Sequence, residues 1–88
     1  MAERRAVIAS RVGLHARPAA AFVQAVKKAG TPVTIAKGDG AEVDAASILS
    51  VLTLNVGAGD EVVLRAEGDD ADDALDSLAQ LLASDLDA

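Results

Sequence analysis

The chain has 88 residues, 51% hydrophobic and 25% charged, so it is long enough for one hydrophobic core, too short for two, and too apolar for disorder. It contains no Cys and one His, which excludes a disulfide framework, a cysteine nucleophile and a thiolate or multi-histidine metal site. Phe22 is its only aromatic residue, so the stacking platforms of single-strand-binding proteins are missing. We therefore expect one domain over residues 1–88, with no cofactor, no metal and no nucleic-acid partner.

The net charge of −6 is distributed unevenly along the chain. Residues 1–38 hold seven basic residues and one acidic residue, whereas residues 39–88 hold one basic residue and thirteen acidic ones. Basic residues that share a face would steer this domain toward an anionic partner surface, and ordinary solvated charge is the alternative. Only five uncharged residues separate Arg5 from Arg11, too few for the hydrophobic region of a secretory signal. We expect a cytoplasmic protein without membrane insertion.

The first predicted elements are a strand and an amphipathic helix. Residues 6–10 form a short apolar run typical of a strand. From Pro18 onward the spacing i, i+3, i+4 and i+7 predicts one buried helix face, made of Ala19, Phe22, Val23 and Val26. Lys27 and Lys28 suit the last turn of this helix, and Gly30 suits its left-handed end.

The middle of the chain predicts a hairpin and a short helix. Residues 33–37 and 41–43 alternate apolar and polar side chains around a tight turn at 38–40, as in a β-hairpin. Ser47 then offers an N-cap for a helix that residues 57–59 end. The apolar residues of that helix are Ile48, Leu49, Val51 and Leu52.

The last predicted elements are a strand over residues 61–67 and a helix. The strand places Val62, Leu64 and Ala66 on one face. The helix begins among four aspartates, at 69, 70, 72 and 73, and its predicted buried stripe is Ala71, Ala74, Leu75, Leu78 and Leu82. The order β-α-β-β-α-β-α predicts an α+β fold, in which a four-stranded antiparallel sheet carries three helices on one face and meets water on the other.

The candidate chemistry lies in residues 13–18, where a strand ends and a helix begins. Free N–H groups and the helix dipole attract anions such as phosphate there, and the guanidinium of Arg17 adds a fixed positive charge. A neutral imidazole at His15 has a ring nitrogen free to attack phosphorus, and the dipole and Arg17 both oppose its protonation. The alternative interpretation is that His15 is only a polar helix cap.

The run Gly-Leu-His-Ala-Arg-Pro-Ala-Ala at 13–20 closely resembles the phosphorylation-site motif of the HPr family, the histidine-containing phosphocarriers of the phosphoenolpyruvate-dependent sugar phosphotransferase system. The resemblance covers the whole chain, including Ser47-Ile48, Thr53-Leu54 and Ala66-Glu67-Gly68. It implies an HPr-like open-faced β-sandwich and a carrier that is not an enzyme. His15 would accept a phosphoryl group on Nδ1 from phosphorylated enzyme I and pass it to an enzyme IIA during sugar uptake, with Arg17 stabilising the phosphate.

The same resemblance implies a docking patch and a possible regulatory site. Ile48, Leu49 and Leu52 correspond to the apolar patch that docks on both partners. Independently of the resemblance, we expect Ala20 and Lys27 of the first helix to contribute to docking, with Arg17 and Lys27 meeting acidic residues of the partner. Ser47 corresponds to the serine that an HPr kinase modifies in some members, although a plain N-cap is the favoured interpretation here. Leu49 and Leu52 stand where family members often carry Met, and the 38–40 hairpin is one residue longer than in many relatives.

Other functions stay open at this point. A nitrogen-related paralogue with a regulatory role has the same motif, and a non-catalytic adaptor would use His15 only as a cap. A transcription regulator is a further partner that the Ser47 surface leaves open. A hydrolase built on Ser10, Ser47 or Ser50 with His and Asp is disfavoured, because so small a domain offers little volume for a substrate cleft. We expect a monomer.

Overall fold

A computed structural model describes residues 2–11 and 13–84. The strands are β1 (Ala2–Val7), β2 (Val33–Lys37), β3 (Val43–Asp44) and β4 (Glu61–Ala66), and the helices are α1 (Ala16–Ala29), α2 (Ile48–Thr53) and α3 (Ala71–Ala83). The sheet order is β1-β4-β2-β3, with every neighbouring pair antiparallel. The α+β open-faced β-sandwich and its element order are therefore confirmed.

The core lies between the sheet and the helices. All four residues of the predicted α1 face are buried, and Phe22 is completely so. Most of the α3 stripe is buried too, while Ala74 is only half-buried. These helix faces pack with Ile35 and Leu64 of the two central strands in one hydrophobic cluster. The 3.6-residue and two-residue periodicities of the sequence thus identify the buried faces correctly.

The opposite face of the sheet meets water, as expected, although two residues at its centre are buried. Val63 lies opposite Ala36 on this face, and the two are only 3% and 2% exposed. Charged side chains of the neighbouring rows form ion pairs across the strands, since Arg65 contacts Glu3 at 2.7 Å and Glu42 at 2.9 Å. Ion-paired side chains thus surround a small apolar centre made of Ala36 and Val63.

β1 differs from the predicted strand over residues 6–10, because it begins at Ala2 and ends at Val7. The charged residues of β1 obscure the pattern of a strand in the sequence. Arg4 lies on the helix side of the sheet, where its guanidinium donates to Asp76 at 2.7 Å and to Asp72 at 3.2 Å on α3. The carboxylates of Asp72 and Asp76 on α3 thus compensate the charge of Arg4 on the inner side of this edge strand.

β3 is shorter than predicted, because Ala41 and Glu42 lie outside it and only Val43 and Asp44 pair with β2. The predicted turn is present, since the Gly40 amide donates to the Lys37 carbonyl at 2.9 Å. Because Glu42 is not paired in the sheet, its carboxylate accepts hydrogen bonds from Arg65 and from the Thr34 hydroxyl.

Three predicted boundaries also shift by a few residues. α2 ends at Thr53, before the glycines at 57–59, because Asn55 adopts a left-handed backbone with φ of 53°. β4 ends at Ala66 rather than at residue 67. α3 begins at Ala71, two residues later than predicted, with Asp70 at its N-cap.

Candidate functional site

His15 is the N-cap residue of α1, with the extended backbone (φ −124°, ψ 159°) that this position requires. Its backbone carbonyl accepts the amide hydrogen of Ala19 at 3.5 Å. The imidazole makes no capping hydrogen bond, and the side chain is half-buried. The ring is therefore not used to cap the helix, which argues against the interpretation of His15 as a polar cap.

Arg17 is exposed in the first turn of α1, two residues after His15. That turn contains no acidic residue, so the partial positive charge of its free amide groups is not neutralised from within the helix. Within residues 2–11 and 13–84, Arg17 forms no ion pair. The amino end of α1 thus combines a free imidazole, a free guanidinium and helix amides.

Gly13 and Leu14 seat this helix end on the loop between α2 and β4. The Leu14 amide donates to the Val56 carbonyl at 2.9 Å, and the Leu14 side chain is 1% exposed. Gly13 has φ of 75°, and a Cβ built on it would overlap the Val56 carbonyl oxygen and lie 2.7 Å from the Gly57 Cα. The backbone approach therefore requires glycine both for its φ and for its lack of a side chain.

The segment before the site is fixed by the same loop. The Ile8 amide donates to the Asp60 carbonyl at 3.0 Å, and the Gly59 amide donates back to the Ile8 carbonyl at 2.9 Å. The Ala9 amide donates to Leu82 at the end of α3 at 3.1 Å. Ile8 and Leu14 are thus both held by the loop of residues 55–60, the supporting loop. Sequence reasoning missed this loop because its contacts are long-range.

Asp60 organises this supporting loop. Its Oδ2 accepts the Gly57 amide hydrogen at 2.8 Å and lies 3.3 Å from the ammonium of Lys37. The backbone hydrogen bond first, and the Lys37 ammonium second, lower the pKa of Asp60 below its ordinary value. Lys37 also donates to the Asn55 carbonyl at 3.1 Å, so it joins β2 to the same loop.

Ser47 is the N-cap of α2, as predicted. Its Oγ accepts the Ser50 amide hydrogen at 3.3 Å. Of the apolar residues predicted to form a docking patch, Ile48 is 38% exposed, Leu49 is 74% exposed and Leu52 is half-buried. The start of α2 thus presents large apolar side chains to the surface, while Val51 anchors the helix in the core.

α1 and α2 pack against each other, so the apolar surface lies beside the helix that carries His15. Along α1, Arg17, Ala20 and Lys27 are all exposed at helical spacing. Lys27 is about 18 Å from His15 along the helix axis, given 1.5 Å per residue. The predicted residues therefore share one side of α1, with Lys27 at its far end rather than in the immediate site.

Ser10 is 1% exposed, so the hydrolase hypothesis loses one of its three candidate nucleophiles. The hydroxyl of Ser47, a second candidate, accepts the Ser50 amide hydrogen at the start of α2.

Among the described residues, no group of three or more His, Asp or Glu side chains is arranged to hold a metal ion. Over the same part of the chain, no helix is long and apolar enough to cross a membrane.

Comparison with known proteins matches residues 2–84 to the family model "PTS HPr component phosphorylation site". The chain is 51% identical over 86 residues to the phosphocarrier protein HPr of Streptomyces coelicolor, covering 98% of this chain and 92% of that protein. It is 35% identical to the phosphocarrier protein NPr of Shewanella violacea, over 97% of this chain and 92% of that protein. A crystal structure of HPr from Thermoanaerobacter tengcongensis superposes with a TM-score of 0.91 at 40% identity, covering 100% of this chain and 98% of that one.

Proposed function

Because this chain belongs to the HPr family, the phosphocarriers of the phosphotransferase system, we propose that His15 is its phosphoryl acceptor and Arg17 its phosphate-stabilising residue. Proteins of this family carry phosphate rather than act as catalysts. The observation that carries the proposal is the imidazole of His15, which caps no helix amide although it occupies the N-cap of α1. A ring in that place is available for transfer.

In the proposed reaction, the Nδ1 lone pair of neutral His15 attacks the phosphorus atom of a phosphorylated donor. The bond from nitrogen to phosphorus forms as the bond from phosphorus to the donor's leaving atom breaks, and the donor keeps that electron pair. The amide groups at the start of α1 and the guanidinium of Arg17 stabilise the charge on the phosphoryl oxygens. The reverse sequence delivers the group to an acceptor.

The donor in this proposal is phosphorylated enzyme I, and the acceptor is an enzyme IIA of a sugar uptake system. One surface serves both partners in turn, built from Ala20 and Lys27 on α1 and from Ile48, Leu49 and Leu52 on α2. Its apolar residues supply the desolvated contact, and the cations of α1 meet acidic residues of the partner. The exposure of Ile48 and Leu49 supports this assignment.

Ser47 is a conditional part of the proposal. Its Oγ serves the N-cap of α2, which accounts for a serine at this position without any regulation. Phosphorylation by an HPr kinase would place about two negative charges beside Ile48 and Leu49 and weaken docking on an acidic partner. A transcription regulator that recognises the modified surface is the further partner that this arrangement admits.

A nitrogen-related regulatory carrier is the second candidate function, favoured by the likeness to the NPr protein of Shewanella violacea. Both candidates use the same chemistry at His15 and differ in their partners. The cytoplasmic location, the monomeric state and the extent of the single domain over residues 1–88 stay predictions, the last supported by the hydrophobic cluster that joins the described helices and strands.

The test is phosphorylation by phosphoenolpyruvate and enzyme I. We expect the chain to acquire one acid-labile, base-stable phosphate, and we expect His15→Ala to acquire none. Arg17→Ala should fold normally, because the residue is exposed, and should be phosphorylated more slowly. Lys28→Ala is the matched control for a lost α1 cation away from the site. A His15→Ala variant that is phosphorylated as fast as the wild type would refute the assignment.

Replacing the donor distinguishes the two branches of the system. The chain is offered the sugar-branch enzyme I and its nitrogen-branch counterpart separately, and the initial rates of phosphorylation are compared at equal concentrations. Faster transfer from the sugar-branch enzyme supports the first candidate, and the opposite order supports the second.

A further inference from the structure

We infer that Asp60, assisted by Lys37, is a positioning residue for phosphoryl transfer at His15, an inference that rests on the function proposed above. Neither residue belongs to the 13–20 motif, and both act through the loop at 55–60. Both residues determine where the amino end of α1 is held, rather than acting on the reacting atoms.

First, Asp60 fixes the conformation of the supporting loop through its hydrogen bonds. Its carboxylate accepts the Gly57 amide hydrogen at 2.8 Å, while its own amide donates to the Gly57 carbonyl at 3.1 Å. Two hydrogen bonds between the same two residues fix the turn that contains Ala58 and Gly59. The carboxylate also lies 3.3 Å from the Lys37 ammonium, which donates to Asn55 at 3.1 Å.

The second step connects this turn to the site. Val56, between the two residues that the Asp60 and Lys37 side chains hold, accepts the Leu14 amide hydrogen at 2.9 Å. Gly13 packs so closely on Val56 and Gly57 that no Cβ fits between them. A displacement of the 56–57 backbone therefore displaces Gly13 and Leu14, and His15 follows directly in the chain.

The third step connects Asp60 to the other end of the same segment. Its carbonyl accepts the Ile8 amide hydrogen at 3.0 Å, at the point where β1 has just ended. Asp60 thus controls the position of Ile8 through its own carbonyl, and the positions of Gly13 and Leu14 through Gly57 and Val56. Catalytic geometry is sensitive to displacements on the order of 1 Å, so this control bears on the transfer rate.

The test compares Asp60→Ala with the matched control Asp76→Ala in the full chain. Asp76 is likewise a carboxylate paired to a cation, Arg4 at 2.7 Å, but it lies on α3 and, among the residues that the structure describes, forms no hydrogen bond or ion pair with the supporting loop. For phosphorylation by enzyme I, we expect Asp60→Ala to lower the saturating rate by about tenfold while KM changes by less than about twofold. Asp76→Ala should change neither quantity.

Asp60→Asn is the rescue variant and also the safeguard if Asp60→Ala folds poorly. Its amide oxygen can still accept the Gly57 amide hydrogen, although the ion pair with Lys37 is lost, so we expect it to retain most of the wild-type rate. Amide chemical shifts of Gly13 and Leu14 provide a direct readout, since they should move in Asp60→Ala and stay unchanged in Asp76→Ala.

The outcomes separate the inference from the proposal beneath it. A wild-type chain that accepts phosphate on His15, with Asp60→Ala reacting at the same saturating rate, overturns the positioning role and leaves the proposed function intact. An equal loss of rate in Asp76→Ala also overturns it, because general destabilisation would then explain the effect. A wild-type chain that acquires no phosphate overturns both.

Discussion

Gly13 shows how much of the site depends on a residue without chemistry of its own. It places the chain within contact of the Val56 carbonyl and holds φ at 75°, two requirements that other residues meet poorly. Gly30, at the end of α1, has nearly the same φ of 72°, but nothing lies within 4 Å of a Cβ built there. The two glycines therefore separate backbone strain from steric overlap.

We expect Gly30→Ala to lower the free energy of unfolding by about 1–2 kcal/mol, the cost of a left-handed backbone in a residue with a Cβ. Gly13→Ala should lower it by about 3 kcal/mol or more, because the overlap with the supporting loop adds to the same strain. Urea unfolding of both variants measures the difference. Equal losses would contradict the tight approach of Gly13 to residues 56–57.

At this scale the sequence predicts the positions of the candidate site residues in the fold better than it predicts the residues that support them. The position of His15 at the start of α1 follows from the local pattern of a strand, a motif and a helix. The hydrogen bonds of Leu14 with Val56 and of Ile8 with Asp60 join residues more than 40 positions apart. Local periodicity carries no information about such pairs, so only the structure reveals them.

Among the elements, α1 and α2 begin with N-caps of different kinds. The Ser47 side-chain oxygen caps α2 by accepting the Ser50 amide hydrogen, whereas the imidazole of His15 makes no capping hydrogen bond to α1. The α2 cap therefore contributes a side-chain hydrogen bond to the stability of its helix, and the α1 cap contributes none.

We expect Ser47→Ala to lower the free energy of unfolding by about 1 kcal/mol, since a side-chain cap is lost. His15→Ala should change it by less than about 0.5 kcal/mol, since no such bond exists there. Ser47→Asp is the matched control, because aspartate caps helices as well as serine does. Thermal or urea unfolding decides the matter, and a larger loss in His15→Ala than in Ser47→Ala would show that His15 does stabilise its helix.

The helices were predicted more accurately than the strands, for a physical reason. α1 buries one face at 3.6-residue spacing, a pattern that a single segment displays by itself. β1 and β3 are edge strands whose extents depend on their partners. Arg4 belongs in β1 because α3 supplies two carboxylates, and Glu42 leaves β3 because Arg65 and Thr34 bind it.

For the whole molecule, the basic and acidic parts of the sequence do not separate into two surfaces. Several cations of residues 1–38 pair with acids of the later segment, as Arg4 does with α3 and Arg5 does with Glu61 at 2.7 Å. Within the described ranges, Arg17, Lys27 and Lys28 on α1 form no ion pair. Two of these unpaired cations, Arg17 and Lys27, belong to the proposed site and docking surface, which fits an acidic partner.

The paired carboxylates make the stability of the fold dependent on pH. Hydrogen bonds from Arg65, then from Thr34, lower the pKa of Glu42, and hydrogen bonds from the Gly57 amide, then from Lys37, lower the pKa of Asp60. The unfolded chain therefore binds protons at these two groups at higher pH than the folded chain does. Their contribution is complete above the ordinary carboxyl values of about 3.9 and 4.3, and it is lost as pH falls through the lower values of the folded state.

We therefore expect the double variant Glu42→Gln/Asp60→Asn to be less stable than the wild type at neutral pH and to approach it in stability as the pH falls below about 4. Taking the difference between the two proteins removes most of the general relief of repulsion that protonation brings to a chain of net charge −6. Urea unfolding at a series of pH values measures that difference. A gap that stays constant, or widens, on acidification would mean that neither carboxylate is stabilised in its charged form by the folded state.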